Sequence, residues 1–563
     1  MARVVSIGAQ GFEELRTRNN FYVDKTAFIA DWWQSDDSVT LITRPRRFGK
    51  TLMLDTVRCF FSTEFAERGE ELFGGLAVWD DPEMRQLQGA VPVVSLSFSK
   101  VKTATVDETL ILIKRILRIE VRNHKYLFDS PAVEESTRDF LASVADDMDT
   151  MTAIDAVPQL CQALEAHWGR KPIVLLDEYD TPMQAAWLGG FWDELSIFMR
   201  TFMDSSFKTN PALDRALMSG ITRISRESIF SGLNNLEVCG VLDEKYQTAF
   251  GFTEQEVETS LKEFGLTDEF SNVQTWYDGF CFGGVAGIYN PWSISKYLER
   301  RKIDTYWMNT SDNALAADLV RRGSNSLKTD FELLIKGETI SKTINEQVVF
   351  SDLDADSDAV WSLLVASGYL TLAKVHTTDS RSPKKLKITN KEVMLGFDDQ
   401  INRWFGRVRE DYNGFVSSIL AANTEDATDY LNDITLASMS SFDGATKTAE
   451  SEPERFYHGL VLGLLVSLRG RYTVESNRES GRGRCDVLLV PANNNHTDPA
   501  IIIEFKAFDA RRESTLEDTA ERALAQIEEK VYATTLVERG FLAEQILSYG
   551  IAFRGKEALV ALA

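Results

Sequence analysis

The first half of the chain alternates short apolar runs with longer amphipathic segments. The short runs are typical of buried strands, and the longer segments carry apolar residues at helical spacing. Strands that alternate with helices in this way predict an α/β domain with a mainly parallel sheet and flanking helices. The predicted strands are 39–43, 91–98, 172–177 and 215–220, and the helices between them include 50–61, 107–124 and 152–168.

The pattern changes near residue 250. Short helical stretches broken by glycine, asparagine and proline follow, and they predict a mostly helical accessory region. A small, polar and acidic stretch after it is typical of a linker, and the order helix, strand, strand, helix, strand then predicts a second α/β domain. The predicted organisation is a first domain over 1–250, an accessory region over 251–440, a linker over 441–454 and a C-terminal domain over 455–563.

Length and composition fit a globular protein of several domains. The chain has 563 residues and a mass of 63.4 kDa, which is more than one hydrophobic core usually supports. No uncharged apolar stretch of about 18 residues occurs, and the first residues lack the apolar segment of a signal peptide. We therefore expect a cytoplasmic protein that has no membrane partner.

Charge and cysteine usage exclude several classes of protein. A net charge of −24 argues against a general nonspecific nucleic-acid binder, because such binding depends on neutralising phosphates. A local basic groove stays compatible with this charge. The five cysteines are scattered without a C-x-x-C pair, and only five histidines accompany them. A zinc site or a disulfide framework is therefore not expected, and a reducing compartment is.

The stretch "LITRPRRFGKTLMLDTV" leads from the end of a predicted strand into a predicted helix, which is the context of a phosphate-binding loop. Gly49 would let the backbone approach a phosphate, and Lys50 would reach the terminal phosphates. The hydroxyl of Thr51 would hold Mg²⁺. Arg44 stands where the generic loop has its first glycine. Taken alone, the Gly-Lys-Thr sequence fits a capped structural helix equally well.

A second motif supports the interpretation of the loop. In "KPIVLLDEYDTPM" an apolar strand ends in Asp177 and Glu178, as in a Walker B strand, where the aspartate supports Mg²⁺ and the glutamate polarises the attacking water. A strand followed by an acidic turn is the structural alternative. After the next strand, Thr222 would sense the γ-phosphate, and Arg223 or Arg226 would stabilise transferred charge. A basic cluster beside the loop favours polyphosphate binding: Arg44, Arg46 and Arg47.

A candidate metal site lies in the C-terminal domain. The strand "PAIIIEFKAF" ends in Glu504 and Lys506, which share a face because side chains alternate along a strand. The preceding strand begins at Asp486, and in a hairpin that position lies beside the end of its partner. Two neighbouring carboxylates repel each other unless a cation neutralises them, and oxygen ligands suit Mg²⁺ or Mn²⁺. Charges at the end of an ordinary strand are the structural alternative.

Residues on two predicted helices flank this cluster. Upstream, Glu454 and His458 are four residues apart, so the Glu454 carboxylate would join the metal shell. Downstream, Gln526 and Lys530 share a helical face and would touch a scissile phosphate. Tyr532 follows Gln526 by six residues, which places it on another face of a continuous helix and argues against a catalytic contact. For each of these residues taken alone, a helix face exposed to solvent is the structural alternative.

The motifs along the whole chain resemble those of bacterial proteins that join an N-terminal AAA-ATPase-like domain to a C-terminal PD-(D/E)XK nuclease domain. An arginine at the position of Arg44 is usual in these proteins. The matching stretches run in order from one end of the chain to the other: "NFYVDKTAFI", "RPRRFGKTLML", "IVLLDEYDTPM", "IFSGLNNL", "YDGFCFG", "YNPWSI", "NTSDN", "FYHGLVLGLL", "SNRESGRGRCDVLLVP", "IIEFK" and "ALAQIEEKVY".

The resemblance implies a P-loop NTPase fold followed by a restriction-endonuclease-like α/β domain. It implies ATP binding at Lys50, Thr51 and Asp177. It also implies that the nuclease residues are Asp486, Glu504 and Lys506. In the PD-(D/E)XK pattern the aspartate and the glutamate hold the metal and the lysine assists catalysis.

We therefore expect a Mg²⁺-dependent nuclease under the control of an ATP-bound switch domain. DNA is the favoured substrate because the resemblance points to it. A local groove would bind it, with the residues Arg478, Arg482, Arg484 and Lys506. One alternative is a nucleotide-regulated binding or signalling protein that does not cut. Another is an ATPase motor with a structural C-terminal cap. Assembly into a homo-oligomer stays open.

Overall fold

The structure is a computed structural model, and the chain forms two compact units in it. The N-terminal unit consists of residues 1–323 and 330–396, and the C-terminal unit of 324–329 and 397–563. All five cysteines are buried and free. In the part of the chain that the structure describes, no helix is long and apolar enough to cross a membrane. The described residues are 2–9, 11–224, 230, 234–310, 325–335, 337–345, 347–348, 357–373, 382–404, 409–439, 461, 464–465, 468, 471–480, 483–492, 498–555 and 557–563.

A parallel sheet forms the centre of the N-terminal unit, with the strand order β2-β3-β4-β1-β6. The strands β1, β3 and β4 are buried along their whole length, which is why their sequences are nearly continuous apolar runs. The predicted α/β fold with a parallel sheet is confirmed. The strands of this part are β1 (Val39–Thr43), β2 (Val93–Ser97), β3 (Ile173–Asp177), β4 (Arg215–Gly220), β5 (Arg223–Ile224), which lies outside the sheet, and β6 (Leu236–Cys239).

Helices flank this sheet, and three of them match the predicted helices closely. The longest begins after Asp149, whose carboxylate accepts the Thr152 N–H at 2.8 Å, and it ends at Gly169 with a φ of 66°. The helices of this part are α1 (Phe12–Thr17), α2 (Ala27–Ser35), α3 (Lys50–Phe61), α4 (Gly69–Phe73), α5 (Pro82–Leu87), α6 (Val106–Asn123), α7 (Glu135–Ser143), α8 (Thr150–Trp168), α9 (Thr181–Gly189) and α10 (Trp192–Met203).

The region predicted to be mostly helical also contains two small antiparallel sheets, with the orders β7-β9-β8 and β10-β13-β12. Its strands are only two to five residues long, too short for alternation to show in the sequence. The strands are β7 (Phe252–Thr253), β8 (Asp278–Phe282), β9 (Val285–Tyr289), β10 (Ile340–Lys342), β11 (Gln347–Val348), which pairs with β5, β12 (Leu370–Leu372) and β13 (Lys384–Ile388). The helices are α11 (Glu254–Glu263), α12 (Phe270–Tyr277), α13 (Pro291–Arg300), α14 (Asn325–Ile335), α15 (Ser357–Ala366) and α16 (Lys391–Trp404).

The C-terminal unit is built on a mixed sheet of the order β14-β15-β16-β17-β18. The central pair β16 and β17 is parallel, and the other pairs are antiparallel. This arrangement confirms the predicted C-terminal α/β domain. The elements are α17 (Arg409–Leu420), α18 (Thr424–Met439), β14 (Tyr472–Ser480), β15 (Gly483–Pro491), β16 (Ala500–Ala507), α19 (Leu516–Glu529), α20 (Thr534–Glu538), β17 (Ile546–Arg554) and β18 (Glu557–Leu562).

Helices α17 and α18 belong to this C-terminal unit, although the prediction placed them in the accessory region. The Tyr549 hydroxyl donates to the carbonyl of Ile419 at 2.6 Å. Asn432 exchanges two hydrogen bonds with the backbone of Ala558, at 3.0 and 2.7 Å. The unit boundary therefore lies before these helices, because their apolar faces pack on the C-terminal sheet. The predicted linker, 441–454, lies outside the described residues.

Candidate functional site

The loop between β1 and α3 turns sharply into the start of the helix. Gly49 has a φ of 81° and Arg47 has a φ of 66°, so both lie in the left-handed region. The Lys50 ammonium is buried and donates hydrogen bonds of 2.9 Å to the carbonyl oxygens of Arg44 and Pro45. The lysine therefore lies inside the loop, next to the backbone N–H groups at the start of α3, where anions bind.

Burial and acidic neighbours act on Lys50 in opposite directions. Burial lowers the pKa of the Lys50 ammonium to about 8, while the carboxylates of Glu178, Asp177 and Asp180 raise it. At neutral pH the ammonium keeps most of its charge. It is therefore able to neutralise a polyphosphate placed at the loop.

The carboxylate of Asp177, at the end of β3, accepts hydrogen bonds on both oxygens. The Thr51 hydroxyl donates to Oδ2 at 2.7 Å, and the Ser219 hydroxyl donates to Oδ1. Ser219 lies on β4, the strand next to β3, and was not among the predicted residues. Hydroxyl and carboxylate oxygens are ligands that suit Mg²⁺, so Thr51 and Asp177 fit a shared ion.

Asp180 fixes the end of β4 and was also absent from the predicted site. Its Oδ2 accepts hydrogen bonds from the N–H groups of Ile221 and Thr222, at 2.9 and 3.0 Å, and from the Thr222 hydroxyl at 3.0 Å. Asp180 is 1% exposed, so these bonds form in the interior. The sequence feature that could have identified Asp180 is its place as the second aspartate of the Asp-Glu-Tyr-Asp sequence, three residues after Asp177.

Two residues predicted to sense or stabilise the terminal phosphate follow β4. Thr222 is buried, and its hydroxyl is occupied by the hydrogen bond to Asp180. Arg223 lies on β5, where its backbone pairs with Gln347. Arg226, the other arginine considered, lies outside the described residues. The structure thus assigns Thr222 a bond within the fold, and the phosphate contact of Arg223 stays a prediction.

Arg44 does not take the predicted position beside a phosphate. Its guanidinium is fully buried and donates to the carbonyl oxygens of Thr43 at 2.9 Å, Cys239 at 3.0 Å and Gly240. It also lies 5.0 Å from the centre of the Phe282 ring. A fourth carbonyl, that of Tyr246, accepts from the guanidinium at 3.3 Å. A guanidinium held by four backbone carbonyls joins the ends of β1 and β6, which explains an arginine in place of the usual glycine.

Two further predicted residues have partners near the loop. Glu178 has a φ of 51°, and its carboxylate accepts the Thr181 hydroxyl at 3.2 Å. Arg47 is exposed, and its guanidinium lies 4.5 Å from the centre of the Trp292 ring. Water activation by Glu178 and phosphate binding by Arg47 stay predictions.

We expect Asp180→Ala to lower the free energy of unfolding of the N-terminal unit by about 2–4 kcal/mol, because two buried donors on Thr222 and the partly buried Ile221 N–H lose their acceptor. Gln184→Ala is the matched control, since it removes only the side-chain donor to the same carboxylate, at 2.9 Å. That change should cost less than about 1 kcal/mol. Urea unfolding measures both values, and equal losses in the two variants would contradict a central role for Asp180.

In the C-terminal unit, two adjacent strands bring Asp486 and Glu504 together. The pairing of Val487 with Ile503 places Asp486 beside the end of β16, and its Oδ2 accepts the Phe505 N–H at 2.9 Å. The carboxylate of Glu504 accepts a hydrogen bond from the Lys506 ammonium at 3.3 Å. The predicted cluster of an aspartate, a glutamate and a lysine is therefore assembled in the structure.

Glu504 is buried in a way that calls for a further partner. It is 1% exposed, and its Oε2 has no hydrogen-bond partner among the described residues. Burial, with a smaller contribution from the charge of Asp486, raises the pKa of the Glu504 carboxyl to about 7, while Lys506 lowers it. A buried, unpartnered carboxylate oxygen beside a second carboxylate is a donor set that fits Mg²⁺ or Mn²⁺.

The two carboxylates do not complete a metal shell by themselves. Within the described ranges, no group of three or more His, Cys, Asp or Glu side chains is placed to hold a metal ion. Glu454 and His458, predicted to lie beside the site, fall outside those ranges, and so does Arg482 of the predicted groove. A bound ion would therefore need water, substrate or one of those residues as additional ligands.

Gln526 and Tyr532 meet at this site, although their spacing argued against it. The Gln526 amide donates to Glu504 Oε1, and its nitrogen lies 3.3 Å from the hydroxyl of the buried Tyr532. The argument from helical faces was wrong because α19 ends at Glu529. Val531 then takes a φ of 55°, which turns the chain and returns the tyrosine to the glutamine.

In the metal-free protein, we expect Glu504→Gln to raise the free energy of unfolding at pH 8 by about 1–3 kcal/mol. Folding raises the pKa of Glu504, so the stability that its protonated form contributes is present at low pH and is lost as the pH rises through about 7. Glutamine resembles the neutral acid, and the difference should therefore shrink as the pH falls from 7 and disappear near pH 4, below the ordinary pKa of 4.5. Unfolding in EDTA at the two pH values measures it, and equal stabilities at pH 8 would contradict the burial of an unpaired charge.

Comparisons with known proteins match a region in each of the two units. Residues 6–230 match the family described as Predicted AAA-ATPase, and residues 452–561 match the PD-(D/E)XK nuclease superfamily. A protein of Azotobacter chroococcum mcd 1, described as an uncharacterized protein in the vnfD 5' region, is 25% identical over 397 residues, which cover 70% of this chain and 69% of that protein. The chain therefore joins an N-terminal AAA-ATPase-like domain to a C-terminal domain of the PD-(D/E)XK nuclease superfamily.

Proposed function

We propose that the protein is a Mg²⁺-dependent nuclease, with DNA as the favoured substrate, and that ATP bound by the N-terminal unit regulates it. The observation that carries the nuclease proposal is the buried Glu504 carboxylate beside Asp486, with one oxygen unpartnered among the described residues. Such a pair is costly unless a cation joins it. The PD-(D/E)XK match over residues 452–561 supports the same reaction class.

Each residue of this cluster has a distinct role in the proposal. Asp486 and Glu504 would hold the divalent cation, which supplies an activated water and stabilises charge on the phosphate when bound. Lys506 has its ammonium 3.3 Å from Glu504, where it would orient the water and offset developing charge. Gln526 fixes the orientation of Glu504 through its amide and connects it to Tyr532.

At the proposed nucleotide site, the residues fit ATP in complex with Mg²⁺. Lys50 would bind the terminal phosphates, and Thr51 and Asp177 would hold the ion. Glu178 would orient the attacking water. The left-handed Gly49 brings the backbone N–H groups of the helix start toward the phosphates.

The proposal is tested by incubating the purified chain with single- and double-stranded DNA and with RNA, in Mg²⁺, Mn²⁺ or EDTA, each with and without ATP. The expected result is metal-dependent cleavage of DNA whose rate changes when ATP is added. ATP binding without cleavage in any metal would replace the nuclease by the nucleotide-regulated binding protein considered above. The intact set of Asp486, Glu504 and Lys506 argues against that alternative.

A further inference from the structure

The backbone of the phosphate loop is held from outside by the accessory part of the N-terminal unit. The carbonyl oxygen of Arg46 accepts two hydrogen bonds, from the Trp307 indole N–H at 3.1 Å and from the Asn290 side-chain amide at 3.4 Å. The side chain of Phe48 lies between two rings of β8, with centroid distances of 4.8 Å to Phe280 and 5.2 Å to Phe282. These contacts connect the loop to the accessory part of the N-terminal unit.

The bonds to the Arg46 carbonyl determine where the next N–H group points. A trans peptide is planar, so its C=O and N–H point in opposite directions. Anchoring the carbonyl between Asn290 and Trp307 therefore directs the Arg47 N–H away from the accessory part. Convergent backbone N–H groups are what a phosphate-binding loop requires, and an inward carbonyl would repel the anion.

We infer that Asn290 and Trp307 are positioning residues of the nucleotide site, which keep the phosphate loop in its anion-binding form through the Arg46 carbonyl. This inference rests on the proposed binding of ATP at Lys50. It gives the stretches "YNPWSI" and "YDGFCFG" a role in nucleotide binding although both lie far along the chain from the loop.

Both donors are themselves fixed by neighbouring groups. Asn290 caps helix α13, because its Oδ1 accepts the N–H groups of Trp292 and Ser293 at 2.9 and 3.3 Å, which leaves its amide nitrogen for Arg46. The backbone N–H of Trp307 donates to the buried carboxylate of Glu392, which also accepts the Ser293 hydroxyl at 2.7 Å. The two donors are thus connected through one buried carboxylate, that of Glu392. Losing either hydrogen bond to Arg46 should therefore change the conformation of the loop.

Two conservative substitutions separate the donors from the packing around them. Trp307→Phe removes the indole N–H and keeps an aromatic ring against Phe280 and Tyr369. In the wild type, the Trp307 ring lies at centroid distances of 5.8 and 5.5 Å from these two rings. Asn290→Asp keeps the capping oxygen and replaces the amide donor by an acceptor, which repels the Arg46 carbonyl. Trp361→Phe is the control, because the Trp361 indole N–H is buried and has no partner among the described residues.

The experiment measures ATP affinity by titration calorimetry and the melting temperature of the nucleotide-free protein. Trp307→Phe and Asn290→Asp should each weaken ATP binding about three- to tenfold, the usual value of one hydrogen bond, while Trp361→Phe stays within about twofold of the wild type. Backbone amide exchange over 44–49 should rise in the first two variants and not in the control. A role in folding alone would lower the melting temperature and leave affinity and loop exchange unchanged.

The outcomes separate this inference from the proposed function. If the wild type binds ATP, Lys50→Met does not, and Trp307→Phe and Asn290→Asp bind like the wild type, the inference is overturned and the nucleotide site stands. If the wild type and Lys50→Met bind ATP equally or not at all, the proposed nucleotide function fails, and the inference fails with it.

Discussion

Asp486→Asn and Lys506→Met should each reduce DNA cleavage by about 10²- to 10⁴-fold while leaving the fold intact. Asparagine keeps the acceptor for the Phe505 N–H, which Asp486 now binds at 2.9 Å, but removes the charge that would attract the cation. Methionine preserves the length of Lys506 and removes the ammonium that lies 3.3 Å from Glu504. Initial rates on one DNA substrate in Mg²⁺ provide the measurement.

The control for this pair is Arg471→Met, which removes one positive charge from the same unit. Arg471 is an exposed residue whose guanidinium pairs with Asp498 at 2.7 Å. These two residues precede the starts of β14 and β16, whereas the cluster of Asp486, Glu504 and Lys506 lies where β16 ends. We expect its cleavage rate to stay within about twofold of the wild type. If Asp486→Asn and Lys506→Met cut as fast as this control, the nuclease assignment is wrong.

Site residues whose positions follow from local sequence spacing could be predicted from the sequence. Lys50 and Thr51 follow a glycine at a helix start, and Asp177 ends an apolar strand, so their meeting depends only on the two strands sharing a sheet. Glu504 and Lys506 share a face by the alternation of any strand. In each case a short motif and one strand pairing suffice.

Residues whose positions depend on packing between distant parts of the chain could not be predicted from local motifs. The position of Ser219 beside Asp177 depends on β4 lying next to β3, which the chain order does not dictate. Arg44 is buried because β6 and the hairpin of β8 supply carbonyls and a ring from positions about 200 residues away. Tyr532 returns to Gln526 because α19 ends at Glu529, and helix ends are the least predictable part of a helix.

The assignment of helices to units depended on the same kind of information. Helices α17 and α18 are amphipathic, and an amphipathic stripe shows that a face is buried without showing against which sheet. Their partners, including Tyr549 and Ala558, lie more than 100 residues further on. The chain position of these helices, directly after the accessory region, therefore suggested the wrong neighbour.

Lys50→Met should weaken ATP binding by about 100-fold or more, because a buried ammonium that can form charge-assisted hydrogen bonds to phosphate is lost. Lys25→Met is the matched control. The Lys25 ammonium is also largely buried and donates to the Thr248 carbonyl at 2.8 Å and to Glu256 at 2.7 Å, but it lies outside the loop. The control should lose some stability and keep its affinity for ATP, which calorimetry and thermal unfolding can separate.

The pH dependence of the same equilibrium provides a second measurement of the role of Lys50. The pKa of Lys50 in the free protein is lowered by burial to about 8, and bound phosphate, an anion, can only raise it. Below pH 8 the lysine is already protonated, so affinity should be nearly constant with respect to this group. Above pH 8 binding must take up a proton, and affinity should fall by up to about tenfold per pH unit. Lys50→Met should lose this slope, and an identical slope in that variant would assign the titration to another group.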